Sequence, residues 1–356
     1  MVAIIAYCHS RQSGEHSCHC LLPLPCPLIC ILDDRDRASY ANIMLPLAFT
    51  CASCSAWATL LVALLVGWLM LNLLVAIWFG VRRRLWERRI RRGADGVLAD
   101  AAPYTVGNGA TALLLIHGFA DSPAVFRELA AELAAKGLAC RVMRMPGACE
   151  PRAVAARQSP ATWLAAVRAE VAVLRATHRQ VWLLGHSMGG SLALLAQLDA
   201  PATADGLILL APLIKVSAAR APLHLPPRLW FRLARLILPH VRTFESSFPM
   251  HTLTRDGTRP GYTRDRFIPL ATYEGLFALT DRIRGRAAEL QVPLFAELVT
   301  GDRIVDTAAA QAWLAAYRGP RRHIAILEGY GHALPQETRL LPELARRIAE
   351  FIGGGS

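Results

Sequence analysis

The sequence predicts an α/β fold in which a mostly parallel sheet carries helices on both faces, with a helical cap insertion and one transmembrane helix before the domain. Three observations lead to this prediction. Short apolar runs alternate with helix-like segments from residue 112 onwards, as strands buried on both faces do. One such run leads into Gly-His-Ser-Met-Gly-Gly at residues 185–190. An uncharged stretch of 26 residues, Ala56–Val81, precedes them all.

Residues 1–43 show no clear periodicity. Their apolar run, Leu21–Leu32, is interrupted by three prolines and is too short to span a bilayer. We expect this segment either to be disordered or to be an over-extended reading frame ahead of the true initiator, Met44. Its histidines and cysteines lack the spacing of zinc ligand pairs, so we predict no metal site.

The stretch Ala56–Val81 predicts a transmembrane helix within an anchor segment, residues 44–92. Trp57 and Trp78 flank it at a separation of about 32 Å along a helix, which matches the hydrocarbon core of a bilayer. Seven arginines and one glutamate follow within Arg82–Arg92, so half of the net charge of +12 lies beside the apolar stretch. By the positive-inside rule this predicts a single-pass protein of a bacterial inner membrane with its C-terminal part in the cytoplasm. Apart from net charge, nothing in the sequence indicates a nucleic-acid partner.

Residues 93–356 predict one α/β domain that begins with a polar linker to about Asn108. Ser122-Pro123 and Ser159-Pro160 each place an N-cap serine before a proline at the first helical position, which predicts two helix starts. A final amphipathic helix is predicted around Ile348. Strands are predicted at Ala112–Ile116, Leu138–Met143, Val181–Leu184, Leu207–Leu210, Leu294–Thr300 and His323–Leu327.

The alternation stops at about residues 213–273. The prolines at 222, 226, 227 and 239 and the apolar, basic stretch Leu229–Leu238 predict a cap over the carboxyl edge of the sheet. We expect Trp230 and Phe231 to pack the cap onto the core, with a lipid-facing role as the alternative.

Strand, G-x-S-x-G and helix in this order are typical of a nucleophile elbow. A sharp turn would strain the backbone of Ser187 and bring neighbouring backbone close to Gly185 and Gly189, where side chains would clash. The Met188 N–H, at a helix N-terminus, would be free to bind an oxyanion. The motif alone fits a glycine-rich turn with a solvated serine, so its meaning depends on its context.

In these residues the sequence resembles the α/β-hydrolase superfamily, and within it the carboxylesterase and monoacylglycerol-lipase-like serine hydrolases, over about residues 98–356. Three matches carry the resemblance: His117-Gly118-Phe119 after a strand, the elbow at 185–190, and Asp302 followed thirty residues later by His332. Two departures are visible. Pro146-Gly147-Ala148-Cys149 stands where members often have Pro-Gly-His-Gly, and the loop before Asp302 is one residue shorter than usual.

The resemblance implies a catalytic triad of Ser187 as nucleophile, His332 as base and Asp302 as its orienting acid. It also implies an oxyanion hole from the backbone N–H groups of Phe119 and Met188. The residues alone leave Asp306 as an alternative acid. We favour Asp302 because it directly ends a strand.

Three other residues are expected to have no part in proton transfer or nucleophilic attack. His117 and His186 are expected to shape their loops. Cys149 lies in a loop without an elbow, which makes it a poor candidate nucleophile.

The sequence therefore predicts a membrane-anchored serine hydrolase that cleaves small-molecule or lipid esters through an acyl-Ser187 intermediate, without a cofactor or a metal. A thioesterase or serine peptidase of the same fold is an alternative, because one triad serves all three reactions. A non-catalytic binding module is an alternative of another class.

Overall fold

The computed structural model describes residues 41–246, 254 and 263–354, with side chains from residue 56 onwards. The expectations for residues 1–43 fall almost wholly outside the described residues. Contacts divide the chain into two compact units, Met1–Leu65 and Val66–Ser356, and the second unit contains the α/β domain.

The described part opens with a long helix, α1 (Ala41–Glu87). Within it, Ala56–Glu87 is long and apolar enough to cross a membrane. Its apolar side chains are largely exposed: Leu61 and Leu74 each keep 64% of their surface. A core helix of a soluble protein would bury such side chains, so this exposure makes α1 a candidate membrane span.

Seven strands form the central sheet in the order β1-β3-β2-β4-β5-β8-β9. All neighbours are parallel except β1, which runs antiparallel to β3. The strands β2, β4, β5 and β8 are buried along almost their whole length, as the continuous apolar runs predict. The strands are β1 (Tyr104–Val106), β2 (Thr111–Ile116), β3 (Ala139–Val142), β4 (Gln180–His186), β5 (Gly206–Leu210), β8 (Leu294–Val299) and β9 (Arg322–Leu327).

Helices form two groups around this sheet. Helix α2 packs against α9, whereas α5 packs against both α4 and α7. Ser159 caps α4 by accepting a hydrogen bond from Thr162 N, and Pro160 is its first residue, as predicted. At Ser122 a 3-10 turn, Pro123–Phe126, comes first, so α2 begins later than predicted. The helices are α2 (Arg127–Ala135), α3 (Arg152–Ala155), α4 (Pro160–Arg175), α5 (Met188–Asp199), α7 (Leu270–Ile283), α8 (Thr307–Ala315) and α9 (Leu341–Ile352).

The cap segment contains helix α6 (Pro227–Ile237) and an antiparallel pair of short strands, β6 (Thr243–Glu245) and β7 (Phe267–Pro269). Phe231 of α6 lies 5.4 Å from Phe277 and 6.2 Å from Tyr273, ring centroid to centroid. Phe231 therefore packs onto the domain, as expected, whereas Trp230 donates from Nε1 to Pro222 O within the cap segment.

The segment predicted as a polar linker is partly folded. Val97, Leu98 and Ala101 form a small buried cluster with Cys149, and Leu98 N donates to Cys149 O at 2.9 Å. Strand β1 follows within the same segment and extends the sheet by one edge strand. The segment thus forms a second, minor core around its apolar residues Val97, Leu98 and Ala101.

Candidate active site

Ser187 lies between β4 and α5 in a strained backbone conformation, with φ 54° and ψ −118°. Two hydrogen bonds fix this turn against the segment that follows β5. Ser187 N donates to Leu210 O at 3.0 Å, and Leu213 N donates to Ser187 O at 3.0 Å. The chain therefore makes the sharp strand-to-helix turn that raises a serine side chain above the end of a sheet.

The flanking glycines leave room for this turn. A Cβ placed on Gly185 would lie 2.4 Å from Gly189 O, and one on Gly189 would lie 1.9 Å from Ile116 O. Both contacts involve backbone atoms, which cannot move aside without distorting β2 or α5. Only glycine fits at either position.

Gly189→Ala is expected to lower the free energy of unfolding by about 3 kcal/mol or more, because the added methyl overlaps backbone of β2. Thermal or urea unfolding of the purified protein measures this. Gly67→Ala is the matched control: a Cβ there meets no atom within 4 Å, and alanine favours a helix. Equal stability of Gly189→Ala and wild type would contradict the close contact.

His332 and Asp302 are joined by a short hydrogen bond, with 2.7 Å between His332 Nδ1 and Asp302 Oδ2. Asp302 follows β8 and His332 follows β9, so parallel pairing of the two strands brings them to one edge of the sheet. The other carboxylate oxygen accepts hydrogen bonds from Ile304 N (2.7 Å) and Val305 N (3.1 Å).

Burial alone would raise the pKa of Asp302, but the attraction of His332 and these three hydrogen bonds outweigh it, so the pKa lies below its ordinary value. Asp302 is therefore an ionised acceptor that holds the hydrogen of His332 on Nδ1.

The alternative acid, Asp306, has a different structural role. Its side chain caps α8 by accepting from Ala309 N at 3.0 Å, and it pairs with Lys215 Nζ at 2.8 Å. The hydrogen bond from His332 goes to Asp302. The structure thus brings together the histidine and the acid that the resemblance implies.

Ser187 and His332 line the same cavity, which has a volume of about 340 Å³. Ser187 Oγ makes no hydrogen bond to the imidazole in this structure, where His332 pairs with Asp302. Gly118 lies close to the serine, since a Cβ on Gly118 would lie 3.2 Å from Ser187 Cβ. Gly118 and Phe119 line the same cavity as Ser187 and His332.

The two backbone groups predicted to form the oxyanion hole are available as donors. Met188 is the first residue of α5, and neither its N–H nor that of Phe119 is used in a hydrogen bond within the described part of the chain. Arg264, which also lines the cavity, holds this loop by hydrogen bonds to its backbone. Its guanidinium donates to Ala120 O (2.9 Å) and Phe119 O (3.4 Å), a contact that sequence reasoning missed.

The two other histidines of the site are buried, and burial lowers the pKa of each. The pKa of His186 falls to about 4, so the ring is neutral, and its Nε2–H donates to His332 O at 3.0 Å. His117 donates from Nδ1 to Gly118 O and accepts from Met145 N on Nε2. Both rings hold backbone in place, as expected of loop-shaping histidines.

Cys149 occupies a left-handed backbone conformation, φ 60°, where the similar family often has glycine. Cys149 N donates to Asp265 Oδ2 at 2.7 Å, and the thiol lies 3.7 Å from Asp121 O. Burial and the neighbouring carboxylates of Asp265 and Asp121 raise the pKa of this thiol far above its ordinary value. A thiol that stays protonated is a poor nucleophile, so Cys149 is a structural residue.

The rest of the cavity wall is mostly apolar and comes mainly from the cap, although the charged side chains Asp121, Arg220, Glu245 and Arg264 also line it. Among the described residues, no group of three or more His, Cys, Asp or Glu side chains could hold a metal ion. Glu245 also lines the wall, but two arginines, Arg82 and Arg266, pair with it. Representative apolar lining residues are Leu213, Val216, Phe231, Phe244, Tyr273 and Phe277.

Comparisons with known proteins identify a matching family and several similar proteins. A family model, Hydrolase_4, described as serine aminopeptidase, S33, matches residues 108–339. Human monoglyceride lipase is 26% identical over 174 residues, which cover 47% of this chain and 55% of the relative. The thermostable monoacylglycerol lipase of Bacillus sp. (strain H-257) is 32% identical over 98 residues, 28% of this chain and 39% of the relative. The chain thus spans about half the length, or less, of these curated relatives.

Solved structures show the same fold. The monoacylglycerol lipase of Paleococcus ferrophilus superposes with a TM-score of 0.61 at 16% identity, over 72% of this chain and 99% of that one. A soluble variant of monoglyceride lipase from Saccharomyces cerevisiae gives a TM-score of 0.61 at 15% identity, over 71% and 91%. The predicted α/β-hydrolase fold is thereby confirmed.

Proposed function

This chain belongs to the Hydrolase_4 family, and on that premise we propose that it is a membrane-anchored serine hydrolase that cleaves monoacylglycerol-like esters through an acyl-Ser187 intermediate. One observation carries the proposal: Ser187, on its strained turn, lines an apolar cavity together with a His332 that is hydrogen-bonded to Asp302. Its likeness to monoglyceride lipases supports a lipase-like ester hydrolase.

In the proposed reaction, His332 Nε2 takes the hydroxyl proton of Ser187 as Oγ attacks the ester carbonyl carbon. The N–H groups of Phe119 and Met188 donate to the oxyanion, and Asp302 stabilises the imidazolium. His332 then protonates the leaving alcohol as the carbon–oxygen bond breaks. Water, deprotonated by His332, releases the acid from Ser187, so one ester and one water give one acid and one alcohol.

The wall of the cavity favours a lipid ester over a peptide with a free amino terminus. Such a peptide carries an ammonium group, which needs an unpaired carboxylate in an apolar site. Two carboxylates line the wall, and both have partners: Arg82 donates to both oxygens of Glu245 (2.7 and 3.0 Å) and Arg266 pairs with it as well, whereas Asp121 accepts from Ser122 N at 2.9 Å. An acyl chain needs only the apolar surface.

The anchor fits a substrate that resides in a membrane. The exposed apolar residues of α1 would hold the site at the bilayer, where monoacylglycerols partition, with the end of α6 that contacts this helix at Ile237 lying within the apolar layer. The arginines of residues 82–92 favour the cytoplasmic side for the hydrolase domain.

We expect the purified full chain in detergent to hydrolyse 1-monoacylglycerols and p-nitrophenyl esters, and to leave aminoacyl p-nitroanilides uncleaved. Release of free fatty acid and of p-nitrophenol measures this, with Ser187→Ala as the control. Cleavage of anilides alone would replace the proposal by a peptidase. Binding of monoacylglycerol by a folded protein without turnover would replace it by a binding module.

A further inference from the structure

Helix α1 contacts the cap at successive turns. Trp68 Nε1 and Asn72 Nδ2 both donate to Ile237 O, at 2.7 and 3.0 Å. Further along the helix, the ring of Phe79 meets Phe244 edge to face at 5.5 Å. The part of α1 from residue 68 onwards is therefore joined to the domain by specific contacts.

The hydrogen bonds from Trp68 and Asn72 satisfy a carbonyl at the C-terminal end of α6. Ile237 is the last residue of that helix, and carbonyls at a helix C-terminus have no partner within the helix. Asn72 is only 1% exposed, although Leu71 and Leu73 beside it are 46% and 51% exposed. An amide buried on an otherwise exposed apolar helix marks the face that docks, because its burial requires hydrogen-bond partners.

The contacts made by Phe79 and Arg82 involve two residues of the cavity wall. Phe244 and Glu245 of β6 both line the cavity, and α1 supports both from outside. Arg82 forms a two-pronged pair with Glu245, which is only 19% exposed, while Phe79 packs on Phe244. A bidentate arginine–carboxylate pair restrains both partners more than a single hydrogen bond does.

We propose that α1 is a structural component of the acyl-binding site: through Asn72, Phe79 and Arg82 it holds α6 and β6 in place and so sets the preference for long acyl chains. These three are positioning residues, which act through the cap wall. The inference rests on the proposed function, in that the cavity receives the acyl chain of an ester cleaved at Ser187. A short acyl chain needs mainly the elbow and the oxyanion hole, whereas a long one needs the cap wall.

The test compares the full chain with Arg82→Gln in one detergent, on p-nitrophenyl butyrate and p-nitrophenyl dodecanoate. Each buried methylene contributes about a fourfold gain in affinity. If Arg82→Gln displaces the cap wall from two methylenes of the acyl chain, the ratio of kcat/KM for dodecanoate to that for butyrate should fall about tenfold. The fall should come from a higher KM for dodecanoate. Glu245→Gln should have the same effect, and the double variant should be no worse than either single one.

Arg83→Gln is the matched control, because Arg83 pairs with Glu87 of the same helix at 2.9 Å and so probes helix charge without the cap. Asn72→Leu, which removes the other contact, should shift the ratio in the same direction. A ratio that stays within twofold of wild type in Arg82→Gln, or that falls equally in Arg83→Gln, would overturn the inference.

A binding measurement separates this inference from the proposed reaction. In the Ser187→Ala background, the dissociation constant of 11-(dansylamino)undecanoic acid should rise about tenfold on Arg82→Gln and stay constant on Arg83→Gln. An unchanged constant in both would overturn the role of α1 even if ester turnover is found. If the dissociation constant rises as expected but the chain with Ser187 intact hydrolyses no ester, the acyl-binding site is retained and the proposed hydrolase reaction is rejected.

Discussion

Ser187→Ala is expected to lower kcat for ester hydrolysis by about 10⁵- to 10⁶-fold, because the proposed acyl-enzyme cannot form without the hydroxyl. Neighbouring groups offer no substitute: the thiol of Cys149 is buried and protonated, and His186 is a neutral ring bonded to backbone. Water attacking directly would still meet the oxyanion donors, so a small residual rate is expected. Steady-state release of p-nitrophenol, with protein folding checked by circular dichroism, measures the loss.

Ser191→Ala is the matched control for this loss. Ser191 is also buried and lies one turn further along α5, where its hydroxyl donates to Leu213 O. Its removal should cost about 1 kcal/mol of stability and leave kcat within a few-fold of wild type. A rate above about one percent of wild type in Ser187→Ala would reject the acyl-serine mechanism.

Asp302→Asn is expected to lower kcat by about 10³- to 10⁴-fold. An asparagine oxygen can still accept from the backbone, but its amide cannot act as the charged acceptor that holds the proton on His332 Nδ1 and stabilises the imidazolium. Asp306→Asn decides between the two candidate acids. Asparagine is as good an N-cap as aspartate, so that variant should keep kcat within about threefold. A larger loss in Asp306→Asn than in Asp302→Asn would reverse the assignment.

Asp302→Asn should also change how the free energy of unfolding depends on pH at acidic pH. The pKa of Asp302 in the folded protein lies below its ordinary value of 3.8, so ionisation of Asp302 favours folding. That contribution is complete above its unfolded pKa and is lost as the pH falls through its folded pKa. In Asp302→Asn, the free energy of unfolding should therefore depend less on pH below about 4, as urea titrations at several pH values would show.

The strands could be predicted because their signals are local, whereas the choice of Ser187, Asp302 and His332 came from the family resemblance. A continuous apolar run indicates a strand buried on both faces, and residues that follow parallel strands lie at one edge of the sheet. His332 and Asp302 thus meet although 30 residues separate them. The start of α4 was equally local, since Ser159 and Pro160 specify it without help from the rest of the chain.

What could not be predicted depends on distant partners. Strand β1 is only three residues long, and it exists because β3 offers an edge to pair with. Arg264 reaches the carbonyls of Phe119 and Ala120 from 144 residues further along the chain, in a segment without periodicity. From the sequence alone, Asn72 is a single polar residue in an apolar helix. Its docking role could not be predicted, because its partner on α6 is distant in the sequence.

The position of Asn72 in the chain also bears on how the protein is made. Synthesis runs from the N-terminus, so the ribosome completes α1 long before Ile237, which follows Asn72 by 165 residues. Until α6 exists, Asn72 Nδ2 has only its hydrogen bond to Trp68 O, at 2.9 Å, within the same helix. The hydrogen bonds that join α1 to α6 can therefore form only after the cap has been translated.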